Sequence, residues 1–235
     1  MIRTVKTALG AIEYELVQTQ RQSMELRLIS GGAVRLFTPR RTPLRTADGF
    51  VIGRAQWIVD TRRAMREHKE RTLAAHPIAT GEKVLYEGVP TEIRIVSAAR
   101  NRIVHMGELI LIEATDTAEE AVREQLRRWL TEQARERVTE RLAHFAPLVG
   151  KAPGRIAIRD QRTRWGSCSS GDNLNFNWKL IMAPPSALDY VVVHELCHLY
   201  EFNHSGRFWQ RVERHMPDYQ DWKNWLKKNG KMLGL

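Results

Sequence analysis

Long apolar runs are missing from this 235-residue chain. None approaches the roughly 18–20 residues needed to span a bilayer. The opening segment "MIRTVKTALGAIEYELVQTQ" also lacks the continuous apolar stretch of a secretory signal, because Glu13 and Glu15 interrupt it early. Cytoplasmic residence with no membrane partner is the expectation. Cysteine is scarce too. Cys168 and Cys197 are too few for a disulfide scaffold in a chain this long, so two reduced thiols are expected. Internal repeats, low-complexity tracts, zinc fingers, helix-turn-helix and RNA-binding signatures are not recognisable in the sequence. What remains is a globular composition, 43% hydrophobic and 27% charged, able to bury at least one sizeable core.

Charge of one sign dominates. The net charge is +10. Residues 1–75 hold 14 Lys and Arg against 7 Asp and Glu, and residues 150–235 hold 13 against 8. Such an excess favours anionic partners and admits nucleic acid, while a solvated cationic surface is its plainer reading. It bears on association and not on fold. Nothing in the sequence fixes the oligomeric state.

Polar and apolar residues alternate through "AIEYELV", "MELRLIS" and "AVRLFTP", which predicts strands. Gly31-Gly32 supplies a tight turn between the last two. "GRAQWIVDTRRAMREH" reads as an amphipathic helix. Strand periodicity returns over Lys83–Ala114, and the longest helical pattern follows from Thr117 to about Phe145. "APLVGKAPG" is expected to break it. A short strand, "RIAIRD", precedes a hairpin whose second strand is read in "NLNFNWKLIM". Helices are predicted from about Pro184 to Phe202, Gly206 to Met216 and Tyr219 to Asn229. The fold class is α+β, a β-rich N-terminal region over 1–115 and a mainly helical region over 116–235.

The chemistry is concentrated in "HELCHLYEFNHS", His194 to Ser205. Positions four apart share one helix face, so His194 and His198 can aim imidazoles at one ion. Glu195 is rotated about 100° from His194 and can reach a water on that ion, which is the basis of the H-E-x-x-H motif. The preceding "LDYVVVHEL" makes the helix a buried one, where polar groups need partners. His204 has the spacing of the third ligand in the longer motif H-E-x-x-H-x-x-G-x-x-H, with Glu201 where that motif has glycine. A continuing helix would turn His204 away, so a bend is required, and Asn203 tolerates a left-handed conformation. Glu201 and Glu213 are rivals to His204 for the third position. Ser205 is placed to cap the next helix.

Three protein ligands leave one zinc position for water, with Glu195 as general base in peptide hydrolysis. One zinc ion per chain is expected. The hairpin before the helix predicts an edge strand beside it, and Asn175, Phe176 and Asn177 are substrate-binding candidates there. Trp165, Phe176 and Trp178 also suit core packing. Either cysteine could bind zinc, although Cys197 reads better as a small buried thiol. Arg164, His215 and Tyr219 are oxyanion partners by residue type alone.

Three segments, "RWGSCSSGDNLNFNW", "APPSALDYVVVHELCHLYEFNHSGRFW" and "MPDYQDWKNWL", resemble the YgjP-like metal-dependent hydrolases, relatives of the SprT-like and WLM zinc peptidases. "PRRTPLRTADGFVIGRAQWI" is similar to the family's opening region. The resemblance implies a minigluzincin-like catalytic part with zinc on His194, His198 and His204 and the base at Glu195. A peptide or protein substrate follows from it. Two other functions compete: a protease acting on DNA-bound or crosslinked proteins, and a catalytically idle binding module stabilised by zinc.

Overall fold

The structure, a computed structural model, describes residues 1–75 and 77–235. The chain forms two compact units, Met1–His76 and Pro77–Leu235. No described helix is long and apolar enough to cross a membrane.

The first unit opens with β1 (Ile2–Thr7), β2 (Gly10–Thr19), β3 (Glu25–Leu28) and β4 (Val34–Pro39), followed by α1 (Leu44–Ile52) and α2 (Ala55–Ala75). The strands lie in the order β1-β2-β4-β3, with antiparallel outer pairs and a parallel inner pair. Alternate residues Ile12, Tyr14 and Leu16, with Val34 and Leu36, turn to one core that Ala47, Val51, Ala55 and Ile58 cover from the helices. Asp48 on α1 ties the layers together. It accepts two bonds from Arg3 (3.0 and 2.7 Å) and one from the Tyr14 hydroxyl (2.7 Å). The Gly31-Gly32 turn joins an antiparallel pair as expected, with φ of 76° and 78° at the two glycines. Neither β1 nor α1 is foreseen in the sequence. β1 buries only Val5, and α1 is nine residues long with a glycine inside, so neither shows a strong period.

The second unit repeats the same strand scheme. β5 (Lys83–Tyr86), β6 (Val89–Ser97), β7 (Arg102–Met106) and β8 (Leu109–Ala114) run in the order β5-β6-β8-β7, again with a parallel inner pair. No sequence repeat announces this, because strand pairing needs only alternation and well-placed turns. α3 (Glu119–Val149) then buries Val122, Leu126, Leu130, Ala134, Val138, Leu142 and Phe145 at spacings of three or four. The expected break at "APLVGKAPG" comes late. Pro147 falls in the last turn, where its missing N–H costs at most one helical bond, and Val149 is buried. Gly150 at φ 88° ends the helix, donating to the Ala146 carbonyl at 2.9 Å.

The division drawn at 115/116 falls inside this unit, between β8 and α3. The core explains why, since Ile93, Ile110 and Ile112 of the sheet share one cluster with α3 and the C-terminal helices. The β5–β6 turn is also tied to the segment ahead of the histidine helix, Glu87 N–H bonding the Ile181 carbonyl (2.7 Å) and Gly88 N–H that of Met182 (3.2 Å). Gly88 has φ 82°, and a Cβ there would meet Pro184 atoms at 2.9–3.0 Å. Gly88→Ala is therefore expected to cost about 2–3 kcal/mol of stability, read as a lower denaturant midpoint with an unchanged slope.

A small third sheet completes the scaffold. β9 (Ile156–Arg159), β10 (Gly166–Cys168) and β11 (Leu174–Asn177) lie in the order β10-β11-β9, so β10 is an edge. The strand read in "NLNFNWKLIM" stops at Asn177. Its side chain accepts the Lys179 N–H (3.2 Å), and Trp178–Met182 form a 3-10 turn with Trp178, Leu180, Ile181 and Met182 all buried. Then come α4 (Pro185–Cys197), α5 (Gly206–His215) and α6 (Tyr219–Asn229). α4 is apolar nearly all round and is held to α3 by a two-pronged pair, Arg141 to Asp189 at 2.6 and 2.9 Å.

Candidate metal centre

His194 lies in the last turn of α4 and His198 caps it. The chain then bends without any left-handed residue. Leu199 N–H bonds the Leu196 carbonyl, and Tyr200 and Glu201 N–H both bond that of Cys197. The left-handed conformation expected of Asn203 is absent, the positive-φ non-glycine residues being Glu87 and Asp172. Asn203 instead accepts the Ser205 N–H through Oδ1 (3.2 Å), a local turn that redirects the chain without backbone strain. Ser205 stands at the N-cap of α5 as expected, although its side chain makes no capping bond.

The bend returns His204 to the other two. His194 Nε2 lies 3.1 Å from His198 Nε2 and 3.2 Å from His204 Nε2. Tetrahedral zinc at about 2.0–2.1 Å from each nitrogen would separate ligand nitrogens by roughly 3.3 Å, close to both distances from His194. Among the described residues these histidines form the group whose ligand atoms converge for a metal. Glu201 takes part through its backbone. Its carbonyl can only accept, so His198 Nδ1 carries the proton of their 2.8 Å bond and Nε2 is left with a free lone pair. Glu213 on α5 is outside the group.

Aromatic rings hold the imidazoles. Phe208 stacks on His198 with centroids 4.4 Å apart and meets His194 and His204 edge-on at 4.9 Å. Trp209 stacks on His204 (5.5 Å) and on Tyr219 (5.4 Å), and the Tyr190 hydroxyl lies 3.5 Å from His194 Nδ1. Tyr190, Phe208 and Trp209 are not singled out in the sequence, yet Tyr190 precedes His194 by four residues and Phe208 follows His204 by four. That spacing is the signal that could have found them. Burial, reinforced by the other two histidines and Lys223, pulls His194 down to about 3, and burial also lowers His198. Both rings stay neutral at ordinary pH, as ligands must.

Glu195 faces the same cavity of 360 Å³, which His194, His198, His204, Arg164, Phe202 and β10 line. It is 4% exposed, and its Oε2 has no hydrogen-bond partner. Burial raises its carboxyl to about 8, opposed by the positive charge of Arg164. Gly166 of β10 closes against it, for a Cβ there would lie 2.5 Å from Glu195 Oε1 and 2.7 Å from Cγ. β10 also has an open side. Asn177 N–H bonds the Trp165 carbonyl and Ser169 N–H bonds that of Asn173, so the intervening Gly166 and Cys168 turn their backbone groups away from β11.

The other site candidates are spread out. Asn175 bonds Ser167 Oγ from behind (3.3 Å), and Phe176 is fully buried in the core. Asn177, 3% exposed, donates to the carbonyls of Gln161 (2.7 Å) and Arg164 (3.1 Å) and so fixes the loop under Arg164. None of the three lines the cavity. Of the oxyanion candidates only Arg164 lines it, while Tyr219 is buried and accepts from Gln220 (2.8 Å). Both cysteines are free. Burial pushes the Cys197 thiol up to about 12, and Cys168 at the rim is raised by burial and by Glu195, so neither offers a ready thiolate.

A family model for the YgjP-like metallopeptidase domain matches residues 22–229. No curated protein matches the chain.

Proposed function

Because the chain belongs to the YgjP-like metallopeptidase family, and is on that ground a metal-dependent peptidase, we propose that its metal is a single zinc ion held by Nε2 of His194, His198 and His204, with Glu195 as general base. The observation that carries this reading is the gathering of three imidazoles, His194 Nε2 lying 3.1 Å from His198 Nε2 and 3.2 Å from His204 Nε2, beside a buried carboxyl with a free oxygen. An all-imidazole protein set suits zinc and, with no fourth protein ligand among the described residues, a catalytic rather than structural ion. That same feature argues against an idle zinc-stabilised module. When bound, zinc supplies a Lewis acid that polarises the scissile carbonyl and acidifies the attacking water.

The chain's own residues do the rest. Glu195 Oε2 takes the proton from the attacking water and returns it to the leaving amine. Gly166 holds that carboxylate against the strand, and the Glu201 carbonyl keeps the His198 ligand nitrogen unprotonated. An extended substrate pairs with the outward backbone groups of Gly166 and Cys168, which sets a peptide bond alongside the histidines. Asn175 supports that strand from behind.

The test is metal content joined to cleavage. The purified chain should carry about one zinc, cleave members of a peptide library, lose that cleavage on chelation and regain it with zinc. Undiminished cleavage by metal-stripped protein would sink the proposal.

A further inference from the structure

The N-terminal unit carries most of the net positive charge. Residues 1–76 hold 14 Lys and Arg against 7 Asp and Glu, whereas residues 77–235 hold 23 against 20. Among its seven acids, Glu15 pairs with Arg35, Glu25 with Arg21 and Arg27, and Asp48 with Arg3, all inside the unit. Arg40, Arg41, Arg45 and Arg54 then crowd into fifteen residues whose one acid is that same Asp48, already also bonded to Tyr14. All four are exposed, and none makes an ion pair with another described residue.

The backbone beneath the first two is held in a turn. Arg40 and Arg41 are the two central residues of a turn closed by Thr42, whose N–H (3.1 Å) and Oγ1 (2.9 Å) both donate to the Pro39 carbonyl. Arg45 follows in α1, whose first turn contains no acidic residue. Cations at that end of a helix oppose its dipole, so the cluster weakens the fold it sits on. A local conflict of this kind marks a surface that an anion completes. Planar groups accompany the charges. The Arg54 guanidinium lies 3.8 Å over the Phe50 ring, and Trp57 at the start of α2 is 47% exposed.

We infer that the exposed Arg40, Arg41, Arg45 and Trp57 of the N-terminal unit, which lie before, in and after α1 in the chain, together bind single-stranded nucleic acid. The guanidiniums take successive phosphates, each as a two-pronged partner, and the indole offers a face on which a base stacks. Arginines accompanied by an exposed ring suit a phosphodiester chain better than an acidic polypeptide, which has no planar groups to stack. The inference stands apart from the peptidase site and does not depend on its metal.

Full-length protein titrated into labelled 20-nucleotide single strands tests it. Affinity should fall with salt, and the triple variant Arg40→Gln/Arg41→Gln/Arg45→Gln should bind at least tenfold more weakly, with a log–log salt slope shallower by about 2. Trp57→Ala should weaken single-strand binding by about tenfold and duplex binding much less. Circular dichroism and cleavage of a short uncharged peptide should be unchanged in the triple variant. Salt-insensitive binding, equal affinity in the triple variant, or equally strong competition by polyglutamate of the same length would overturn the inference.

Discussion

Glu195→Gln is expected to lower peptide hydrolysis by about 10³-fold while the zinc content and the fold are kept. The substitution preserves shape and removes basicity, so the contact with Gly166 survives and proton transfer does not. The carboxyl of the metal-free site is raised to about 8 because it is buried with one oxygen unpartnered. A dication beside it favours the ionised form and brings the value down. Wild-type kcat/KM should therefore rise with pH on an acid limb that reports this carboxyl, and in Glu195→Gln that limb should vanish along with the rate. A variant that loses zinc as well would say that Glu195 holds the site together and is not its base. Wild-type turnover with zinc retained would remove it from the chemistry.

Gly166→Ala should come close to this effect from outside the H-E-x-x-H motif. The added methyl would stand 2.5–2.8 Å from Oε1, Cγ and Cδ of Glu195, a clash with the whole end of the side chain rather than with its tip. Glu195 is closely surrounded and cannot yield without leaving its place. The expected result is a loss of kcat of about 10²-fold or more, since general-base catalysis needs the carboxylate within hydrogen-bond reach of the water. Zinc stoichiometry should be unchanged, because the histidines are held by Phe208, Trp209 and the Glu201 carbonyl and not by β10. Full activity in Gly166→Ala would show that the carboxylate works from some other position.

The gathering of the three histidines was legible because a helix makes a spacing of four into a shared face, and because five intervening residues require a bend. What the bend is made of was not legible. Asparagine advertises a left-handed conformation, but the chain bends by tightening the end of α4 and by an Asn203–Ser205 bond. The partnership of Gly166 with Glu195 was hidden for a different reason, since it joins residues 29 positions apart through a strand three residues long. The α+β class was readable from alternation and helical period. The place of the second sheet was not, because a shared core such as Ile93, Ile112 and Leu126 leaves no mark on local pattern.

The three histidines belong to two separately built pieces of chain. Two ride on α4, while the third arrives just ahead of α5, the helix that brings Phe208 and Trp209 to the rings. An ion bound there acts as a clasp as well as a reagent, closing a short loop from 198 to 204 and fastening α5 to the core through something other than covalent chain. Taking the ion away undoes a crosslink. The C-terminal helices then keep their register with α4 through the shared apolar core and the stacked rings, without the crosslink, so the same event that silences the chemistry loosens the part of the molecule that shapes it.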